Sequence, residues 1–153
     1  MVRRIVTLIS LAVLLIACRG SKPGAKITSV KYAESIRSSG VTYTYTDFDI
    51  LEIKMDFNFD ESLASDLDPT SEDYRDKICD ILIDGAHLYY KDEEVKRTFG
   101  YWPEEAGKDY AKEMTLFYLV SKGHSVQDLR FVYDGAVLGE GTKSIDTEIK
   151  PER

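Results

Sequence analysis

Leu51-Glu52-Ile53-Lys54-Met55-Asp56-Phe57-Asn58-Phe59 carries an apolar side chain at every second position and a polar one between. Successive side chains of a strand point to opposite faces, so this period of two predicts a strand with one buried and one wet face. The same stretch spells the start of a calcium loop, Asp56-Phe57-Asn58-Phe59-Asp60. The glycine that such a loop needs is Glu61 here, and its bidentate acid is Leu67, so the oxygens belong to the wet face of a strand.

The flanking segments also read mainly as strands. Lys26 to Ala33 is a first strand, broken by Ser38-Ser39-Gly40. Val41-Thr42-Tyr43-Thr44-Tyr45-Thr46 is rich in β-branched and aromatic residues and predicts a second. Beyond the acidic stretch from Asp60 to Asp68, Asp68-Pro69 predicts a helix start, with Asp68 as N-cap and Pro69 in the first turn. Tyr74, Ile78, Ile81 and Leu82 recur at helical spacing, which predicts a helix over about 69–82 closed by Gly85; Ile81-Leu82-Ile83 as a strand is the rival reading. Ala86 to Tyr90 predicts a strand, Lys91 to Glu94 a turn, and Val95 to Tyr101 its hairpin partner. Met114 to Val120 is apolar on both faces and fits a central strand. Leu129, Phe131 and Tyr133 alternate, and Asp134-Gly135 predicts a hairpin into a last strand starting at Ala136-Val137-Leu138. Seven or eight strands, one short helix and no βαβ rhythm predict a mainly β chain, an antiparallel β-sandwich.

Composition bounds the function. The chain has 153 residues, 43% hydrophobic, with 20 basic and 27 acidic side chains and a net charge of −7. That hydrophobic share excludes a disordered chain. The acidic balance argues against a nucleic-acid partner, which needs cations for its phosphates. Two cysteines make neither a disulfide scaffold nor a four-cysteine zinc site.

The first residues assign a location. Met1-Val2-Arg3-Arg4 is basic, Ile5 to Ala17 is largely apolar, and Cys18 follows. The apolar run is shorter than the roughly 20 residues a membrane-spanning helix needs and has the form of an export signal. Leu15-Ile16-Ala17-Cys18 resembles the lipobox of bacterial lipoproteins. That resemblance implies cleavage after Ala17, acylation of Cys18, and a protein anchored to the cell membrane or outer membrane, facing away from the cytoplasm. The chain then divides into a signal peptide (1–17), a lipidated tether (18–25), a sandwich domain (26–149) and a frayed tail (150–153). Without Arg3 and Arg4, 18 basic residues face 27 acidic ones, net −9. Arg19, Lys22, Lys26 and Lys31 precede the first acid, Glu34, so the remainder carries 14 basic against 27 acidic residues, net −13. Two readings of this collar stand side by side: basic residues drawn to anionic headgroups while the acidic body is repelled, or a solvated, variable tether.

Lys112 to Gly123, followed by Leu129-Arg130-Phe131-Val132-Tyr133, resembles the last strand pair of immunoglobulin-like domains in bacterial lipoproteins. These domains are grouped with the telokin-like family and the secreted mycobacterial immunoprotective antigen. The resemblance implies a binding or adhesive module with no catalytic residues.

Signs of chemistry are sparse. The chain has neither a nucleophile-elbow motif nor a zinc-helix motif. Gly139-Glu140-Gly141-Thr142-Lys143-Ser144 lacks the spacing of a phosphate loop. The two histidines, His87 on a strand and His124 in a turn, are too few for a metal site, and no cofactor is implied. Cys79, beside Ile78 and before Ile81-Leu82-Ile83, reads as a buried thiol without a disulfide partner. Acid groups at Glu72-Asp73, Asp92-Glu93-Glu94 and Glu104-Glu105 fit solvated turns. Tyrosine is in excess, and Tyr89-Tyr90 with Tyr101-Trp102 are the candidate contact residues, because aromatics with polar tips favour interfaces. The expectation is a non-catalytic, membrane-anchored module with a protein or small-ligand partner in the envelope. The alternative is an envelope hydrolase whose carboxylates converge on a histidine.

Overall fold

The computed structural model describes residues 22–59, 61–68, 70–101 and 113–152, with backbone alone at Glu61, Phe99, Tyr101 and Val126. In chain order the strands are β1 Gly24–Ala33, β2 Ile36–Ser38, β3 Val41–Tyr43, β4 Phe48–Asn58, β5 Ala86–Tyr90, β6 Glu93–Val95, β7 Arg97–Tyr101, β8 Glu113–Ser121, β9 Leu129–Tyr133 and β10 Ile145–Glu148. One α-helix, α1 (Glu72–Asp84), joins β4 to β5. The protein is mainly β and antiparallel, as the sequence predicts. The first sheet runs β1-β4-β8-β7 and the second β10-β9-β5-β6. Lettered A (β1), B (β4), C (β5), C′ (β6), D (β7), E (β8), F (β9) and G (β10), these orders read A-B-E-D and G-F-C-C′, the strand order of immunoglobulin sandwiches. The β2–β3 hairpin makes a third, two-stranded sheet.

The stretch at Leu51 sits where its pattern demands. Leu51, Ile53 and Met55 have no exposed surface and Phe57 has 3%. They share one core with Met114, Leu116 and Tyr118 of β8, Leu88 of β5 and Phe131 of β9. Burying each such side chain contributes about 1.5–3 kcal/mol relative to exposure. β8 lies between β4 and β7 and is buried on both faces: Phe117, on the outer face, packs with Ile50 under Ile36 of the hairpin.

Several local expectations shift. The Val41–Thr46 run forms only the three residues of β3, turning through Ser39 (φ 49°) and Gly40 (φ 78°) against β2. Both turn residues are left-handed, as a tight hairpin turn of this hand requires. The helix starts later than expected. Ser71 is its N-cap, accepting from the Tyr74 N–H at 3.0 Å, while Asp68 closes a turn of its own by accepting from the Thr70 N–H at 2.8 Å. Pro69 lies outside the described residues. Ile81-Leu82-Ile83 is helical, so the strand reading is corrected. Gly85 ends the helix at φ −74°, so it is required for space rather than for backbone hand. A Cβ there would lie 2.9 Å from Val137 Cγ2 and 3.0 Å from Tyr133 Cζ.

The partner predicted for β5 is also corrected. Only Glu93–Val95 pairs with it, and the chain then crosses at Lys96 so that β7 joins β8 in the other sheet. Ala136-Val137-Leu138 forms a 3₁₀ turn instead of the last strand, because the Asp134 carboxylate caps the Ala136 N–H at 2.9 Å. The last strand begins nine residues later than expected, at Ile145. Beyond it the chain crosses back: the Ile149 N–H donates to the Leu129 carbonyl, and Glu152 bridges β1 through Val30 and Tyr32. Glu152 therefore closes onto the domain within the tail expected to fray.

Candidate functional site

Antiparallel register places residues opposite one another on the same face of a sheet. On β5, Ala86 and Leu88 point into the core, so His87 and Tyr89 point outward. Register then aligns two outward rows, Glu148–Arg130–Tyr89–Glu94 and Asp146–Val132–His87. The Arg130 guanidinium lies 5.2 Å from the Tyr89 ring centre and 3.1 Å from Asp146 Oδ2. The His87 ring lies 6.5 Å from that of Tyr89, and its Nδ1 is 2.7 Å from Glu94 Oε1. A carboxylate only accepts, so this bond puts the imidazole proton on Nδ1. Exposed ion pairs contribute about 0–1 kcal/mol and an exposed cation–π contact about 0.5–1 kcal/mol. These contacts therefore add little to folding stability.

Two open clefts flank the array. One, of about 390 Å³, lies where the chain leaves β6, and its lining includes His87, Glu94, Asp84, Arg97 and Tyr118. Its walls are fixed from below. Arg97 Nη1 donates to the Ile83 carbonyl at the end of α1 at 2.8 Å, and the Tyr118 hydroxyl donates to the Ala86 carbonyl at 3.3 Å. Burial holds that hydroxyl well above the usual tyrosine range, so it serves as a neutral donor. The other cleft, of about 370 Å³, is lined by Lys91, Asp92, Asp128, Arg130 and Glu148 among others.

The two predicted contact residues whose side chains are described, Tyr89 and Tyr90, do not share a face. Tyr89 faces outward within the array. Tyr90 faces the opposite side and stacks on His124, with ring centres 3.8 Å apart and planes 3° apart. Tyr101 lies in β7, but its side chain, all of Trp102 and Cys18 are outside the described residues. Sequence reading missed Arg130, Asp146 and Glu148 as site residues. Cys79 is partly buried against the core, and burial together with Asp80 and Asp76 pushes its thiol up to about 11. Among the described residues no three of His, Cys, Asp and Glu converge to hold a metal ion, and no helix is long and apolar enough to cross a membrane. No protein-family model, no curated protein and no solved structure matches the chain.

Proposed function

We propose that the chain is a lipid-anchored, extracytoplasmic lipoprotein whose sandwich binds an envelope partner without catalysis. The observation that carries the binding reading is the outward array of the second sheet, in which Tyr89 sits between Arg130 and His87 with a cleft on either side. The anchor rests on Leu15-Ile16-Ala17-Cys18 behind two arginines and an apolar run. The strand order is that of immunoglobulin sandwiches, an architecture shared by many cell-surface domains. The partner is a protein or small ligand of the envelope.

A photo-crosslinking side chain at position 89, compared with one at Lys54 on the other sheet, tests the binding face. Adducts confined to position 89 support it, and equal or absent adducts at both positions refute it. The hydrolase reading draws on one specific observation, the His87–Glu94 pair facing the cleft that Asp84 also lines. An imidazole oriented by a carboxylate has the arrangement of a general base. Turnover of envelope glycans or esters that His87→Gln abolishes would establish the hydrolase and displace the non-catalytic reading.

A further inference from the structure

We infer that the free edge of β10 docks an extended, basic segment of a partner protein, which adds to the second sheet as a further strand. The inference deepens the binding reading above and rests on it for the outward face. β10 ends the order β10-β9-β5-β6, so one of its edges has no neighbouring strand. Register fixes which groups that edge offers. Glu148 pairs with Arg130, and the Ile149 N–H donates to the Leu129 carbonyl, so Ile149 and Leu129 form a hydrogen-bonded pair. Such pairs alternate along an antiparallel ladder. Ile145 and Thr147 therefore bond to β9, and the backbone groups of Asp146 and Glu148 turn to the open edge. β9 agrees from its other side. The Asp134 N–H donates to the Gly85 carbonyl and the Lys91 N–H to the Asp128 carbonyl, which gives Arg130 and Val132 to β5 and leaves Phe131 and Tyr133 for β10. The Glu148 carbonyl accepts from the neighbouring Thr147 hydroxyl at 3.1 Å, and among the described residues no strand reaches these groups.

The edge opens into a cleft of about 400 Å³, lined by Ser144, Ile145 and Asp146 on one side and by Gly24 and Ala25 of β1 on the other. A Cβ added to Gly24 would meet nothing within 4 Å, so a second backbone has room to approach. Farther along, the chain itself shows what this gap accepts. The Glu152 N–H donates to the Val30 carbonyl and the Tyr32 N–H to the Glu152 carbonyl, both at 3.0 Å, so the C-terminal segment adds to the edge of β1 in parallel. Gly24 and Ile145 lie equally far before Lys31 and Glu152, the bridged pair, so the cleft is the open continuation of a gap already closed by extended backbone. Unpaired edge groups recruit strands in this way.

Side chains select the partner, because residues opposite one another across a strand pair interact directly. On the exposed face β10 presents Asp146 and Glu148, with Lys143 and Lys150 beyond its two ends. A second copy pairing edge to edge would set Asp146 against Glu148, which disfavours self-association. A strand with lysine or arginine opposite both acids is favoured instead. Arg130 already lies 3.1 Å from Asp146, whereas among the described residues Glu148 has no ion pair, so the cation opposite Glu148 contributes more. Apolar residues between the cations fall on the side of Ile145, which packs against the core. Such a strand lengthens the rows Asp146–Val132–His87 and Glu148–Arg130–Tyr89–Glu94 by one residue each, making edge and array one surface.

A capped peptide of alternating valine and lysine, titrated into the isotope-labelled full chain in detergent, tests this by nuclear magnetic resonance. The amides of Asp146 and Glu148 should shift saturably, and the glutamate counterpart should bind about tenfold more weakly. Asp146→Lys combined with Glu148→Lys should invert that preference. Methylating the lysine amides, which would bond to β10, should abolish binding, and methylating the valine amides should not. Equal binding of the lysine-methylated peptide overturns the strand addition, as do shifts of equal size at Asp73 and Asp76 of α1. A dimer crosslinked through Glu148→Cys also overturns it and assigns the edge to a second copy. Crosslinking at position 89 is read separately: adducts there without peptide binding refute the strand addition alone, and peptide binding without such adducts refutes the outward face and confines binding to the edge.

Discussion

Gly135 should be the least replaceable glycine among the described residues, and Gly135→Ala measures why. The residue is buried in the 3₁₀ turn after β9, and its N–H donates to Ser144 Oγ at 3.0 Å. A Cβ there would lie 2.6 Å from both the carbonyl carbon and oxygen of Lys143 and 2.7 Å from the Thr142 oxygen. These are backbone atoms, so relief requires moving the chain that leads into β10. Overpacking costs about 1–3 kcal/mol, and losing the bond to Ser144 about 1 kcal/mol more. Near this size a domain loses about 4 °C per kcal/mol, so the melting temperature should fall by about 8–16 °C. Gly100→Ala is the control. Its Cβ would meet Ile83 Cδ1 at 2.8 Å, the far end of a flexible side chain that can rotate away, so its cost should stay near 1 kcal/mol. Thermal unfolding followed by circular dichroism compares the two. A Gly135→Ala protein as stable as the parent, or equal losses for both variants, would refute the assignment of rigid and yielding neighbours.

Further expectations concern the helix and the alkaline limit. Ser71→Ala should cost about 1 kcal/mol in urea unfolding, because it removes the acceptor for the Tyr74 N–H. Asp68→Ala should cost less, and a reversed order would return the cap to Asp68. Arg97→Met should cost about 1.5–3 kcal/mol by stripping the Ile83 carbonyl of its charged donor, and an unchanged midpoint would dismiss that bond. Cys79 is raised from 9.0 to about 11, first by burial, so the unfolded chain releases this proton at lower pH than the folded one. That contribution is complete below pH 9 and is lost as pH rises through about 11, with Tyr118 and Tyr133, also raised by burial from 10.0, adding to the loss from about pH 10 upward. A urea midpoint that stays level between pH 9 and 11, or falls equally in Cys79→Ala, would contradict this.

Legibility followed the range of the interactions. Leu51 to Phe57 was readable because a half-buried strand writes its two faces into neighbouring residues, and Met114 to Val120 because a strand covered on both faces is continuously apolar. The crossing at Lys96 was hidden. Val95 and Phe99 look alike in composition, and only the competition between β5 and β8 for a partner assigns them to different sheets. Ala136-Val137-Leu138 looked like a strand because its local cap, Asp134, resembles a hairpin signal. The array around Tyr89 was illegible for a related reason. Arg130, Asp146 and Glu148 are ordinary surface charges until register sets them beside His87, Tyr89 and Glu94, and register across 60 residues of chain is not a local property.

Acylation of Cys18 is what ties the domain to a membrane. Metabolic labelling of the full chain with a palmitate analogue, followed by purification, compares the parent with Cys18→Ser. A lipid anchor gives label in the parent, with a mature N-terminus at residue 18, and in Cys18→Ser an unlabelled protein that keeps its first 17 residues. Label that survives Cys18→Ser, or a parent that never acquires it, would contradict the anchor.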